Sequence, residues 1–333
     1  MVDRARRLWI GVGFTGLIVL SASVGGFLAL WASTTPLLQQ QLSPEEAAIF
    51  GKGGSIARSG LRLPELTRPV NILVMGMSVL TSDVQNSTSG SQNLGYHAQV
   101  NSFDGLSDVM LLIRFDPDTG RMIALSIPRD TQVEMVGQGT IKINAANVAG
   151  GPAASARLVS QLLDDVQIDR YVRVNVMGVE KLVDTLGGVT VDVPKDMKYK
   201  DDSQHLYIDL KQGRQHLNGN QTLQLLRFRH DGQGDIGRIE RQHMVMRALM
   251  EQTLNPVTLA RFPQILKVVE SHIDTNLSVE ELLALAGFAV KADQQDVEML
   301  TLPGWANKIG RHDISYWLPD HQRIQEMMQL YFN

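Results

Sequence analysis

The sequence predicts an α/β fold, layered α-β-α around a central mixed β-sheet and preceded by one N-terminal transmembrane helix. Three observations carry it. The apolar runs VNILVMGM, VMLLIRF and MIALSIP are continuous and strand-sized, as in strands buried on both faces. Strand and helix patterns then alternate, which implies a sheet covered by helices and at least partly parallel. Ahead of both, the stretch from Leu8 to Trp31 carries no charge.

That stretch, at about 1.5 Å per residue, is long enough to cross roughly 30 Å of bilayer hydrocarbon. Trp9 and Trp31 lie at its ends, where indoles sit at headgroup level, and Arg4, Arg6 and Arg7 precede it, so the N-terminus is expected in the cytoplasm. A cleaved signal peptide would need a shorter apolar region and a small-residue cleavage site, which LALWASTTP does not offer. The expected organisation is a cytoplasmic tail (1–7), an anchor (8–31), a linker (32–69) and an extracytoplasmic domain (70–333). Its core motifs fall in 70–255 and a mainly helical extension follows. The linker is rich in Gln, Ser, Gly and Pro, with one capping box where Ser43 precedes Pro44 and Glu46.

Within the domain, DPDTG joins two strands as a hairpin turn, since Asp, Pro and Gly suit one. Residues 81 to 105 are too polar and too rich in Gly and Ser to pack, and read as a mobile loop. Helical periodicity covers Pro152 to Val166 and Gly178 to Leu186, with strands at YVRVNV and GVTVDVP. Further helices are expected at Gly219 to Phe228, Ile236 to Leu254, Val257 to Ser271, Val279 to Lys291 and Asp320 to Phe332. Strands VEMLTL and DISYW precede the last of these.

Composition narrows the chemistry. The chain has no cysteine, so neither disulfides nor thiolate metal sites support it, and its net charge of -4 argues against a polybasic nucleic-acid binder. No phosphate-binding P-loop, HExxH or GxSxG motif occurs, and the eight histidines lack ligand spacing. DPDTG lacks the later carboxylates of a calcium loop.

Arginine is the dense feature. RFRHDGQGDIGRIERQHMVMR brings together Arg227, Arg229, Arg238, Arg241 and Arg247. Leaving a helix in extended conformation, Arg227 and Arg229 would point the same way. Asp235 is placed to cap the next helix, on which Arg238, Arg241 and Gln242 share a face. Guanidinium forks beside a helix N-terminus suit a phosphate or another oxyanion. The competing reading is a solvated face whose arginines pair with Asp231, Asp235 and Glu240, and the residues alone leave the two even. A second cluster, Pro128, Arg129 and Asp130, ends the strand MIALSIP, where open helix-covered sheets place ligands. Ser107 and Asp108 open VMLLIRF; by chemistry alone Asp108 is more simply a turn residue.

NILVMG, LSDVMLLIRFDP, LSIPRDT, KINAAN, GGP, LVDTLGGVTVDVP, HLNGNQTLQLLRFRH and DIGRIERQ, in this order from about Asn71 to Glu251, resemble the LytR-CpsA-Psr family of cell-envelope phosphotransferases. The resemblance implies transfer of an anionic glycopolymer from a polyprenyl-pyrophosphate carrier to a cell-wall acceptor, typically a peptidoglycan hydroxyl, outside the bacterial cytoplasmic membrane. It implies a catalytic set of Arg129, Arg227, Arg229 and Asp108. Arg129, Arg227, Arg229 and Arg238 map onto the pyrophosphate arginines, with Arg241 and Gln242 adjacent. Asp108 maps onto the carboxylate that holds Mg2+. Two positions depart from the pattern: Ser78 stands where the family commonly has Asp, and Leu106 where it has Arg. Asp83 or Asp104 are the substitutes for the missing metal carboxylate, and Asp130 or Asp104 the candidates for general base. These departures keep two alternatives open, a non-catalytic lipid-binding assembly factor and a lipid-pyrophosphate hydrolase. An apolar lipid channel would draw on Val174, Val176, Leu182, Leu223, Leu225 and Leu226.

Overall fold

The structure is a computed structural model that describes residues 41–51, 54–58, 64–78, 103–201, 206–228, 234–253, 261–291, 297–307 and 315–332. The anchor over Leu8 to Trp31, Asp83 and most of the polar loop lie outside these. Among the described residues no helix is long and apolar enough to cross a membrane.

In chain order, α1 (Pro44–Ala47), β1 (Ala57–Arg58) and β2 (Glu65–Leu66) lead into β3 (Val70–Ser78), β4 (Leu106–Phe115) and β5 (Met122–Ser126). The hairpin β6 (Gln132–Met135) and β7 (Gly139–Lys142) precedes α2 (Ala146–Leu162), β8 (Arg170–Val174), α3 (Val176–Leu186), β9 (Val189–Val193), β10 (Met197–Asp201), β11 (Leu206–Leu210) and β12 (Gly213–Leu217). Then come α4 (Gly219–Arg227), α5 (Gly234–Thr253), α6 (Phe262–His272), β13 (Ile273–Thr275) and α7 (Val279–Lys291). The chain closes with β14 (Val297–Thr301), β15 (Gly304–Asn307), β16 (Tyr316–Pro319) and α8 (His321–Tyr331).

Six strands form one sheet in the order β13-β8-β3-β4-β5-β14. β3 runs parallel to β8 and β5 parallel to β14, while β4 is antiparallel to both its neighbours and β13 to β8. The sheet is mixed, as expected. The period-two geometry of a strand divides its apolar residues between two cores. Leu73, Met75, Met110, Leu112, Ile123 and Leu125 face α2 and α8. Ile72, Leu111, Ile113 and Ala124 face the other layer, which includes Phe288 of α7. A separate core, with Val183, Val191, Ile208, Leu225 and Val245, packs β9 to β12 against α3, α4 and α5.

DPDTG is a hairpin turn: the Asp116 carboxylate accepts from the amides of Asp118 at 3.0 Å and Thr119 at 3.3 Å, and Gly120 supplies a φ of +74°. That carboxylate caps its own turn. Within α2, Gly150 and Gly151 break the helical backbone and Pro152 restarts it, as the sequence reading from Pro152 requires. The Ser43–Glu46 capping box forms.

Two expectations are corrected, and a third is only partly covered. The linker over 32–69 is not tether to its end, because Phe50 and Ile56 are buried in the cores and β1 pairs with β2. The amide of Ile56 donates to Glu281 of α7, so the chain is clamped to the domain before β3 begins. Of the helix expected over Val257 to Ser271, the described part is Phe262–His272, and 257–260 lie outside the described residues. The strand read at DISYW is Tyr316–Pro319, and its partner β15 had no signal of its own.

Candidate functional site

The site is assembled at the edge of the sheet where β3, β5, β8 and β14 end and β4 begins, the edge at which helix-covered sheets hold ligands. Its first member comes from an irregularity. Gly76 pairs with Val109 but Met77 pairs with Ser107, so Asp108 is an extra residue in β4, a β-bulge. Gly76 permits the close approach, since a Cβ there would lie 2.9 Å from the Val109 Cβ.

Asp108 is buried, and its Oδ1 accepts from Arg129 Nη1 at 2.8 Å. Arg129 and Asp130 are the central residues of a turn closed by the Thr131 amide donating to the Pro128 carbonyl at 3.0 Å. The Thr131 hydroxyl donates to the same oxygen at 2.6 Å. The turn thereby presents both side chains together: Asp130 Oδ2 is 3.8 Å from Arg129 Nε, and Asp130 Oδ1 is 2.9 Å from Lys142 Nζ. Lys142, at the end of β7, lies 6.0 Å over the Tyr316 ring. Asp108, Arg129, Asp130 and Lys142 form one alternating chain of charges.

KINAAN is the scaffold beneath it. The Asn144 amide donates to the Arg129 carbonyl at 3.2 Å, and the Ser107 hydroxyl to the Asn144 carbonyl at 3.4 Å. Asn147 Nδ2 donates to the carbonyls of Phe103 and Gly105, both at 2.8 Å, which fixes the entry into β4. Asn147 is itself held through Oδ1 by Arg173 Nη1 at 3.1 Å. Arg173 and Asp274 form an ion pair, with Nε to Oδ2 at 2.8 Å and exposures of 1% and 0%. Burial pushes the neighbouring Tyr171 hydroxyl up from its usual pKa, with the Asp274 charge adding to it, so the phenol stays neutral.

The arginine-rich segment is only partly described. Arg227 is half-buried in the last turn of α4, and Phe228 leaves the helix in extended conformation, as expected. Arg229 and the side chains of Asp235 and Arg238 lie outside the described residues. α5 begins at Gly234, so Asp235 falls inside the helix and not before it. Arg241 follows on α5. It is buried, its Nη2 donates to the Phe228 carbonyl at 2.6 Å, and its guanidinium lies 5.8 Å over the Phe228 ring. That arrangement ties α5 to the end of α4. Gln242 is half-buried beside it.

The carboxylates fit a metal only in a limited sense. Among the described residues no group of three His, Cys, Asp or Glu side chains could hold an ion. Asp108 is one carboxylate, and Asp104 is exposed. Ser78 and Leu106, the two departures from the family pattern, are Cα partners in the β3–β4 ladder. An Asp and an Arg at these positions would oppose each other across the strands, so they are absent as a pair. Of the six lipid-channel candidates, Leu225 belongs to the second core. Val174, Val176, Leu182, Leu223 and Leu226 are half-buried.

Sequence reasoning missed Lys142, Asn147 and the Arg173–Asp274 pair. KINAAN was the available signal for the first two; Asp274 had none, being 101 residues from Arg173.

Known proteins resemble the chain in sequence and in fold. The chain is 32% identical over 230 residues to the polyisoprenyl-teichoic acid–peptidoglycan teichoic acid transferase TagV of Bacillus subtilis, covering 67% of this chain and 58% of that protein. It is 28% identical over 314 residues to TagU of Bacillus cereus, which has the same activity name, covering 94% and 92%. The crystal structure of B. subtilis TagV superposes with a TM-score of 0.64 at 29% identity, over 79% of this chain and 96% of that one. The profile of the LytR_cpsA_psr family matches residues 40–332, and the chain belongs to that family.

Proposed function

We propose that this chain transfers an anionic glycopolymer from a polyprenyl-pyrophosphate carrier to a peptidoglycan hydroxyl. The observation that carries the reading is the Asp108–Arg129–Asp130–Lys142 chain of charges at the ligand-bearing edge of the sheet. The names of TagV and TagU support it.

In such a transfer the acceptor oxygen forms a bond to the phosphorus that carries the glycopolymer. The bridging bond to the polyprenyl phosphate breaks, and the hydroxyl proton passes to a base. Negative charge grows on the nonbridging oxygens and the departing lipid phosphate, so fixed cations lower the barrier. Arg129 and Lys142 are positioned for this by Asp108 and Asp130. Arg227 adds positive charge, joined in this reading by Arg229 and Arg238. A guanidinium fork suits the task because it engages two oxygens at once. Asp130, beside Arg129, is better placed than exposed Asp104 to take the proton.

Magnesium belongs to the same proposal, with Asp108 as the protein carboxylate and substrate phosphate supplying further ligands; the ion would neutralise phosphate charge. The anchor over 8–31 would hold the domain at the outer face of the cytoplasmic membrane, within reach of the carrier.

The test is transfer from a polyprenyl-pyrophosphate donor to soluble peptidoglycan by the purified full chain. Product should form in the wild type and fall sharply in Arg129→Ala. Absence of product together with a retained polyprenyl phosphate would favour a lipid-binding assembly factor, the reading that the paired loss at Ser78 and Leu106 supports. Release of glycopolymer phosphate without acceptor would favour a hydrolase.

A further inference from the structure

A groove of about 450 Å³ adjoins the charged cluster on the flank built by β6, α2, β16 and the start of α8. Gln132, Glu134, Gln161 and His321 supply polar groups to its wall, and Leu158 and Leu318 apolar surface. Its volume lies within the range of about 300 to 1,000 Å³ usual for small-molecule sites.

The groove is joined to the site through the backbone. Gln132 is two residues beyond Asp130 and is the Cα partner of Lys142. The C-terminal hairpin is joined to the same turn, because the Trp317 amide donates to the Asp130 carbonyl at 2.9 Å. Thr131 forms a parallel bridge with Trp317. Directly opposed residues of an antiparallel pair stand on one face, and alternate residues share it. Trp305 opposes Leu318 and Asn307 opposes Tyr316, so these four share the face of Leu318, one of two hairpin residues that line the groove; Pro319, the other, stands on the opposite face. Trp317 stands on the other face, against the core. Gly304 leaves room for it, since a Cβ there would lie 2.5 Å from the indole nitrogen. Trp305 is thus turned away from the core, and it is 55% exposed.

From this juxtaposition of an exposed indole, planar amides and a carboxylate beside the charged cluster, we propose that the groove and the C-terminal hairpin form the subsite for the acceptor saccharide. Amide and carboxylate groups match the paired hydroxyls of a sugar, and the electron-rich face of an indole matches its polarised C–H face. The occupant is the acceptor and not the donor for a geometric reason. In-line displacement places the entering and leaving oxygens on opposite sides of phosphorus. The half-buried Val174, proposed for the lipid, ends β8, three positions along the sheet from β5, whereas β6 of the groove wall follows β5 in the chain through the Asp130 turn. This assignment rests on the transferase reading.

The experiment uses the full chain in detergent, with Trp305→Ala, Trp305→Phe and Gln161→Ala, and a soluble undecorated fragment of peptidoglycan glycan strand as probe. Binding of the fragment is followed by ligand-observed saturation-transfer NMR, and transfer is measured with acceptor and donor varied separately. Trp305→Ala and Gln161→Ala should weaken fragment binding and raise the acceptor KM, each by about tenfold, with the donor KM unchanged and Trp305→Phe near wild type. A rise in donor KM instead would assign the groove to donor sugars and overturn the proposal. Fragment binding that is absent, or indifferent to both substitutions, would also overturn it. Should the wild type bind the fragment through Trp305 yet transfer nothing, the transferase reading fails while the saccharide subsite stands.

Discussion

Asp274→Asn is a sharp test of what holds the site in place. The substitution keeps the shape of the side chain and removes the charge that faces Arg173. Both groups are almost wholly buried, and the guanidinium directs Nε and Nη2 to Asp274 while Nη1 reaches Asn147 and the Phe103 carbonyl. Without its counter-charge a buried guanidinium is left uncompensated, which costs about 3 to 5 kcal/mol. Total stabilities run to about 5 to 15 kcal/mol, so the loss is a large fraction of the whole. With a urea dependence of about 3 kcal/mol per molar, the midpoint should fall by about 1 to 1.7 M. Urea titration of the full chain in detergent, read by near-UV circular dichroism, measures this. The double variant Arg173→Met with Asp274→Leu should recover most of the loss, because an apolar pair needs no compensation. It should not recover transfer, since Asn147 would lose the donor that orients it toward the entry of β4. A midpoint shift below about 0.3 M for Asp274→Asn, corresponding to under about 1 kcal/mol, would refute the reasoning.

Arg129→Lys should lose transfer nearly as fully as Arg129→Ala, by about 100-fold or more in kcat, because an ammonium cannot hold Asp108 and two phosphate oxygens in one plane; a Lys variant near wild type in a turnover assay would contradict this. Gly76→Ala should destabilise by about 1 to 3 kcal/mol through overpacking against Val109 and should be relieved in the double variant with Val109→Ala, both read by urea titration. Burial, reinforced by the Arg247 charge and opposed by Glu240, lowers the pKa of His243 below 6.5. The unfolded chain therefore binds a proton that the folded one does not, so stability should fall as pH drops below about 6.5. His243→Gln should flatten that part of the profile in melts at pH 5 to 7, and an unchanged slope would remove His243 as its source.

How much was legible beforehand depended on whether a signal was local. β3, β4 and β5 announced themselves because alternate residues feed two different cores, which makes each run apolar throughout. The turn at Asp116 and the cap at Ser43 were readable because each is closed within four residues. YVRVNV was recognised as a strand, but its simple reading inverts the truth: Tyr171, Arg173 and Asn175 are buried while Val172 and Val174 are half-exposed. Period two cannot say which face is inside when a charged residue has its partner far along the chain. The same limit hid the C-terminal hairpin, whose pairing with the Asp130 turn has no local trace, and the folding of Phe50 and Ile56 onto the domain. At the site, Arg129 was readable from its place at the end of a strand and the role of Asp108 came from motif resemblance, whereas the buried place of Arg241 required knowing that Phe228 returns over it.

The bulge at Asp108 has a consequence for how such a site is inherited. Strict alternation would put Asp108 in phase with Met110 and Leu112, two residues committed to the core. One extra residue breaks that phase, so the carboxylate is encoded by strand length as much as by residue type. Deleting a single residue at 107 or 108 would restore an unbroken ladder and erase the charge anchor of Arg129 in the same step. Substituting Asp108 would leave the frame intact and merely empty it. Relatives that have lost this chemistry by the first route should carry a β4 one residue shorter, a mark that survives even after every neighbouring side chain has changed.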